Sequence, residues 1–336
     1  MPITTALNLL RDNKDLNQMQ MDAALGEIMD GKASEAQTGA FLMGLCTKGE
    51  TASEIGSAVA LLRKKMVPVE APANAMDIVG TGGDGMGTYN ISTASSIIVA
   101  AAGIPVAKHG NKALSSKSGS SEALQALGVK LDLDPVGISR CINEAGIGFM
   151  FAPNHHPAMR HVGPTRAKMG IRTMFNLLGP QCNPAGVKRY LLGVYGPEWV
   201  KPVAQALLAN GVEMAWVVHG SDGLDEITST GSTKVVAVEN GALREFEVCP
   251  KDVGIELSNP DDLVGGDPAH NAKAIIELFA GKSGAYRDIV LMNAGAALYI
   301  GGKTKSFANG VELAAQTIDS GAATKTLARL VEVSNG

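Results

Sequence analysis

Apolar residues recur along the first 70 positions at helical spacing, with no strand-like alternation among them. Between positions 19 and 29 they fall at Met21, Ala24, Leu25 and Ile28, one face of a helix. A second run begins at Ser34-Glu35 and continues through Ala40, Phe41, Leu42 and Leu45. A third begins at Thr51, where Thr51 as N-cap and Glu54 as its capping-box partner predict a helix to about residue 65. The proline-rich stretch from Pro68 to Pro72 reads as a linker and a domain boundary.

After Ala75 the period changes. Short apolar runs at 76–79, 104–107, 148–151, 189–195 and 214–219 read as strands. Helical runs at 92–102, 121–127, 135–145 and 198–210 lie between them, the third announced by a capping Asp134 and by Pro135 in the first turn. Such alternation predicts an α/β fold with a mostly parallel central sheet and helices on its faces. The runs 235–238 and 244–248, joined through 239–243, predict a hairpin at the sheet edge. Helical spacing returns at 272–279, 288–299 and 310–318. One segment, 155–180, has no clean strand and carries Arg160, Arg166, Lys168 and Arg172; it reads as one or two helices that rejoin the N-terminal helices. The expected architecture is a small helical domain of residues 1–70 plus about 155–185, and a larger α/β domain of 73–154 plus 186–336.

Composition narrows this picture. With 336 residues, 45% of them hydrophobic, the chain has material for a sizeable core. Only 4% are aromatic while 40 are glycine, so that core is aliphatic with close backbone approaches. The net charge of -4 argues against general nucleic-acid binding, which wants a basic face. Cys46, Cys141, Cys182 and Cys249 lie far apart, without metal-ligand spacing, and read as reduced thiols of a cytoplasmic protein. The charged N-terminus is not a secretory signal, and the longest apolar run, 97–102 with its flanks, is too short to cross a bilayer.

Four stretches carry candidate chemistry. Gly80-Thr81-Gly82-Gly83-Asp84-Gly85 follows a strand and precedes Asn90-Ile91-Ser92-Thr93 at a helix start. Glycines let backbone N–H groups approach an anion closely, and the helix N-terminus adds partial positive charge. The spacing fits neither the dinucleotide fingerprint nor the nucleotide P-loop. The second stretch, from Lys108 to Ser121, holds three lysines, five serines and two glycines in an acidic chain, a set of donors suited to phosphate; the alternative is a solvated loop with a helix cap. Third, Asp225 and Glu226 follow a strand and offer oxygen ligands to Mg2+, or else form a surface turn. Fourth, Asn154-His155-His156-Pro157 precedes Arg160 and Arg166. Without further ligands at zinc spacing it reads as a polar wall, and Arg166 as a partner for a carboxylate.

In this order the motifs closely resemble those of the anthranilate phosphoribosyltransferases, over nearly the whole chain. The resemblance implies transfer of a phosphoribosyl group from phosphoribosyl pyrophosphate to the amine of anthranilate, releasing pyrophosphate, in the tryptophan pathway. It implies that Gly80, Gly83, Asp84, Thr88, Asn90, Ile91, Ser92 and Thr93 contact the phosphoribosyl donor. Lys108, His109, Gly110, Asn111, Lys112, Ala113, Leu114, Ser115, Ser116 and Ser120 would close over it. Ser92, Asp225 and Glu226 would hold two Mg2+ per subunit, and Asn111 and Arg166 would receive anthranilate, with Gly80 nearby. Lys108 and Arg166 would assist electrostatically, and the chain would form a homodimer through its helical part. Tyr89 stands where phenylalanine is frequent, and Gln181-Cys182 where Leu-Thr is more usual. A pyrimidine nucleoside phosphorylase of related architecture is the rival, as is a donor-binding protein without turnover. The acid pair and the Asn111/Arg166 combination favour the transferase.

Overall fold

The computed structural model describes residues 2–112 and 117–336. Ala113, Leu114, Ser115 and Ser116, assigned above to the loop over the donor, lie outside the described residues.

Four helices open the chain: α1 (Pro2–Arg11), α2 (Gln18–Met29), α3 (Glu35–Lys48) and α4 (Ala52–Lys65). The last three each start on a capping box, Asn17 with Gln20, Ser34 with Gln37, and Thr51 with Glu54. Each box satisfies two backbone N–H groups that a helix end otherwise leaves open. Glu54 does more than cap. It is fully buried, accepts from the Leu16 N–H at 2.9 Å and pairs with Lys48 Nζ at 2.9 Å, so the loop before α2 is tied to α4.

The strands are β1 (Asp77–Gly80), β2 (Val106–Gly110), β3 (Ile147–Phe151), β4 (Arg189–Gly193), β5 (Met214–Gly220), β6 (Thr233–Glu239) and β7 (Ala242–Val248). β1, β4 and β5 run parallel, and β6 and β7 add antiparallel strands at the edge. β2 and β3 pair in parallel, and a bridge from Met76 to Val106 joins them to β1. The spatial order is therefore β3-β2-β1-β4-β5-β6-β7. From β1 the chain first moves outward through β2 to β3 and then returns to the other side at β4. This reversal makes a crevice at the carboxyl ends of the parallel strands, where ligands of open α/β sheets bind.

Both faces of the sheet are covered, which is why its parallel strands read as near-continuous apolar runs. On one face Ile97 and Ile98 of α5 (Ile91–Ala101) pack with Val290, Ala294 and Leu298 of the helix Ala285–Ile300 and with Trp216 of β5. On the other, Val203, Ala204 and Leu207 of the helix Val200–Ala209 lie between Val217 and Val236 of the sheet and the α1–α4 bundle. Met174, Leu177 and Leu178 of the helix Met174–Gln181 join this second core.

Several boundaries differ from the sequence reading. β2 begins at Val106 and extends to Gly110, so Lys108 and His109 belong to a strand. The hairpin turn has two residues, Asn240 and Gly241, both at positive φ (52° and 74°), and Glu239 pairs with Ala242. An Asn-Gly turn of this hand matches strand twist and lets pairing run to the tip. A last helix, Ala322–Asn335, follows those expected from the pattern.

Candidate active site

A cavity of about 780 Å3 opens at the reversal point. Its floor is made by the carboxyl ends of β1 and β2 and the residues following β5, and its far wall by the segment from Ala152 to Cys182.

Two glycines create the room for the acid pair. A Cβ on Gly80, the last residue of β1, would collide with Asp225 Oδ2. One on Gly193, the last of β4, would collide with the Asp225 carbonyl oxygen. Asp225 therefore lies across the two strand ends, where any other residue at 80 or 193 would displace it. Its Oδ2 accepts the Gly82 N–H at 2.6 Å. The glycine turn that supplies this donor has Gly82, Gly83, Gly85 and Gly87 at φ between 61° and 79°, a backbone that side-chain-bearing residues rarely adopt.

The carboxyl groups are held in an unfavourable state. Burial pushes Asp225 up to about 7, with the nearby Asp84 adding to the rise. Glu226, at the cavity wall, is raised well above the usual carboxylate range by burial and then by Asp225. The Ser92 backbone N–H, in the first turn of α5, opposes that rise. Asn90, the N-cap of α5, makes no capping bond and instead binds the Ser118 carbonyl at 3.2 Å and Asn271 at 2.9 Å. The helix start thus faces the acids and the cavity.

This donor set suits a hard cation. Asp84, Asp225 and Glu226 offer only oxygens, and their mutual repulsion is relieved by divalent charge. Among the described residues no group of three or more His, Cys, Asp or Glu closes into a metal site. A Mg2+ here draws on waters or phosphate for the rest of its shell, as it usually does.

Lys108 is buried at 2% exposure. Its Nζ donates to the Ile78 carbonyl at 2.7 Å and lies 3.4 Å from Ser92 Oγ. Burial lowers its pKa, while Asp77 and then Glu226 oppose that shift. His109, next in β2, meets His156 Nε2 to Nε2 at 3.2 Å across the cavity wall. Burial foremost, then His156, drives the His109 pKa well down, so its ring is neutral at pH 7. His155 points elsewhere: its Nδ1 meets the Val67 carbonyl at 3.0 Å and packs the connection to α4.

Gly110, Asn111, Lys112 and Ser120 line the cavity beside these groups, as do Gly83, Thr88, Asn90, Ile91 and Ser92. Arg166, on the helix Gly163–Met169, reaches the same cavity from the opposite wall, its guanidinium 5.2 Å from the Phe175 ring centre. Burial lowers its pKa. Thr93 does not line the cavity; its side chain is buried in the first turn of α5, so contact with a ligand there falls to its neighbours.

Two groups were not marked by the sequence as parts of the site. Arg172 stacks 4.5 Å over the Tyr195 ring and donates to the Gly83 carbonyl, tying the glycine turn to the far wall. Asp77, wholly buried in β1, accepts from Asn183 Nδ2 at 2.7 Å and from the His109 N–H at 3.2 Å. A signal for it exists in the sequence: a lone carboxylate inside the apolar run Met76-Asp77-Ile78-Val79.

Comparison with known proteins agrees over both parts of the chain. Residues 4–66 match the helical bundle domain of the glycosyl transferase family and residues 72–324 its a/b domain. Anthranilate phosphoribosyltransferase of Parvibaculum lavamentivorans is 55% identical over 99% of this chain and 97% of its own. The crystal structure of anthranilate phosphoribosyltransferase from Thermus thermophilus superposes with a TM-score of 0.93 at 40% identity, covering 98% of this chain and 99% of that one. The Saccharomyces cerevisiae enzyme, in complex with PRPP and Mg, superposes with a TM-score of 0.90 at 26% identity, covering 99% and 98%. With more than half its residues shared over nearly its full length, the chain belongs to the anthranilate phosphoribosyltransferase family.

Proposed function

We infer that this chain carries out the reaction for which its relatives are named. It transfers the phosphoribosyl group of phosphoribosyl pyrophosphate to the amine of anthranilate, giving N-(5-phosphoribosyl)anthranilate and pyrophosphate. The observation that carries this reading is the opposition of two walls. Buried acids, a glycine turn and a helix start form one side of the cavity. On the other stands Arg166, a half-buried guanidinium that lines the cavity with no acidic partner among the described residues to shift it.

On this reading the glycine turn, Asn90, Ile91 and Ser92 bind the donor's phosphates through backbone N–H groups and hydroxyls. Asp225, Glu226 and Ser92 would hold Mg2+, which supplies counter-charge to the pyrophosphate oxygens when bound. We assign two ions per subunit, as the family resemblance implies. Lys108 adds fixed positive charge beside Ser92, where charge grows on the leaving group; removing one preorganised donor of this kind costs about 3–4 kcal/mol of transition-state stabilisation. Arg166 and Asn111 receive the carboxylate of anthranilate and aim its amine at the ribose carbon. That amine is neutral at pH 7, so positioning suffices for attack. The His109–His156 pair lies at the wall to take the proton that the new C–N bond makes acidic.

We count residues 155–185 with the helical domain, a reading supported by the packing of the helix Met174–Gln181 on α3 and α4 and of the helix Gly163–Met169 on α3. We further propose a homodimer through the helical domain, and a cytoplasmic location in keeping with four free thiols. No helix among the described residues is long and apolar enough to cross a membrane.

The test follows anthranilate fluorescence after addition of phosphoribosyl pyrophosphate. Loss of signal that requires Mg2+ is expected. Release of base from nucleosides by phosphate, without Mg2+, would replace this reading with the phosphorylase.

A further inference from the structure

We propose that Asp77 is a positioning residue for the reaction, acting through Lys108. The inference rests on the functional reading above, which places Lys108 beside the leaving group. Asp77 itself lines no part of the cavity.

Its contacts converge on the peptide groups around Lys108. One carboxylate oxygen accepts the His109 N–H at 3.2 Å, just after the lysine. The other accepts Asn183 Nδ2 at 2.7 Å, and the same amide donates to the Ala107 carbonyl at 2.8 Å, just before it. Asn183 is fully buried, and its own oxygen accepts the Ala185 N–H at 2.8 Å. The backbone on both sides of Lys108 is thus pinned to one carboxylate. The Lys108 ammonium in turn donates to the carbonyl of Ile78, the residue after Asp77. Asp77 and Lys108 hold β1 and β2 together and aim the ammonium at Ser92.

Two donors, the His109 N–H and Asn183 Nδ2, call for two acceptor oxygens at this place, which a carboxylate supplies and an amide does not. A buried carboxylate nevertheless carries a large desolvation cost unless a cation offsets it. Lys108 is the foremost charge acting on Asp77, ahead of its hydrogen bonds. Among the described residues Lys108 forms no direct ion pair, so its buried ammonium depends on charge at one remove. Glu226 is the second acid acting on it, and that carboxylate is assigned above to Mg2+. Once Glu226 is so engaged, Asp77 is the acid left to balance Lys108.

The experiment is a double-mutant cycle on the full chain: Asp77→Asn, Lys108→Met and the pair, with kcat, both KM values and thermal unfolding for each. Asp77→Asn is expected to lower kcat roughly thirty-fold, less than the loss seen when a preorganised donor is itself removed, while the KM for anthranilate stays within about twofold. Lys108→Met falls further, and adding Asp77→Asn to it costs less than about twofold more, because the residue acted through the lysine. Losses that multiply in the pair, or an Asp77→Asn enzyme of wild-type kcat with only a lower Tm, would overturn the proposal. Should Asp77→Asn fail to fold, Asn183→Ala replaces it in the same cycle, with a smaller loss expected on the wild-type background and none on Lys108→Met. Wild-type protein inert with anthranilate and phosphoribosyl pyrophosphate would instead sink the functional reading, and this inference with it.

Discussion

At the scale of single residues the site is a collection of charges kept where water would not leave them. Asp225, Glu226, Lys108 and Asp77 are each shifted first by burial and only then by neighbours. Such groups cost stability in the free protein and are common where catalysis needs fixed charge. Asp77 gives a measurable consequence. Burial pushes its pKa from 3.8 up to about 6. The folded protein therefore holds this proton to higher pH than the unfolded chain does. Its contribution is fully present below the unfolded pKa and is lost as pH rises from about 4 through about 6, with a slope of up to about 1.4 kcal/mol per pH unit. The stability difference between wild type and Asp77→Asn, measured by urea unfolding at several pH values, should move against wild type across that window. A difference that is flat, or that grows in favour of wild type with pH, would show that Asp77 ionises freely in the folded state. Sequence alone marks Asp225, Glu226, Lys108 and Arg166 as chemically apt, because their residue types and local neighbours carry the signal. It does not show that Lys108 lies inside a strand, since propensity disfavours lysine there and only the buried partners at Ile78 and Ser92 override it.

At the scale of elements, the site depends on where strands stop. β1 and β4 end side by side on Gly80 and Gly193, which pair in register, and Asp225 crosses both ends. Apolar runs and caps make most elements legible, because both sheet faces are buried and α2, α3 and α4 start on capping boxes. The purpose of these two glycines is not legible, since it comes from Asp225, distant in the sequence and adjacent only in space. The final helix Ala322–Asn335 carries the same kind of signal as the legible elements, with buried Ala323, Leu327 and Leu330 at helical spacing, although the elements read from the pattern end at 318. A methyl group at Gly193 tests the arrangement. The obstacle is backbone, which cannot rotate away, so Gly193→Ala should lower stability by about 1–3 kcal/mol as overpacking does. Turnover should drop at least tenfold in the fraction that remains folded, read by anthranilate fluorescence together with thermal unfolding. Wild-type kcat and Tm in this variant would mean that Asp225 is free to move and that its pose is not fixed by the strand ends.

At the scale of the molecule, one core runs from the α1–α4 bundle through the helix Val200–Ala209 to the sheet, while the cavity lies where the 152–182 wall faces the strand ends. Contacts such as Arg63 to the Gln181 carbonyl at 2.7 Å and Asn210 to the Gly56 carbonyl at 3.1 Å anchor the bundle to the far wall and to the end of the helix Val200–Ala209. The far wall reaches back to the glycine turn through Arg172 and to β2 through His156. This leaves the outer bundle surface without a role in the chemistry, yet it exposes Met19 at 79% and Met43 at 47%. Large exposed apolar side chains on a bundle that already has a closed core suit a subunit contact, and neither methionine lines the cavity. The chain should therefore sediment as a dimer, and Met19→Lys combined with Met43→Lys should shift it toward monomer by placing two charges per subunit in the contact. Because the cavity is built within one chain, kcat of the monomeric variant should stay within about threefold of wild type, provided Tm is retained. A wild-type protein that sediments as a monomer at micromolar concentration would remove the dimer from the account. A variant that remains dimeric would move the contact to another face of the bundle, and a monomer without activity would mean that association, and not the single chain alone, holds the two walls in register.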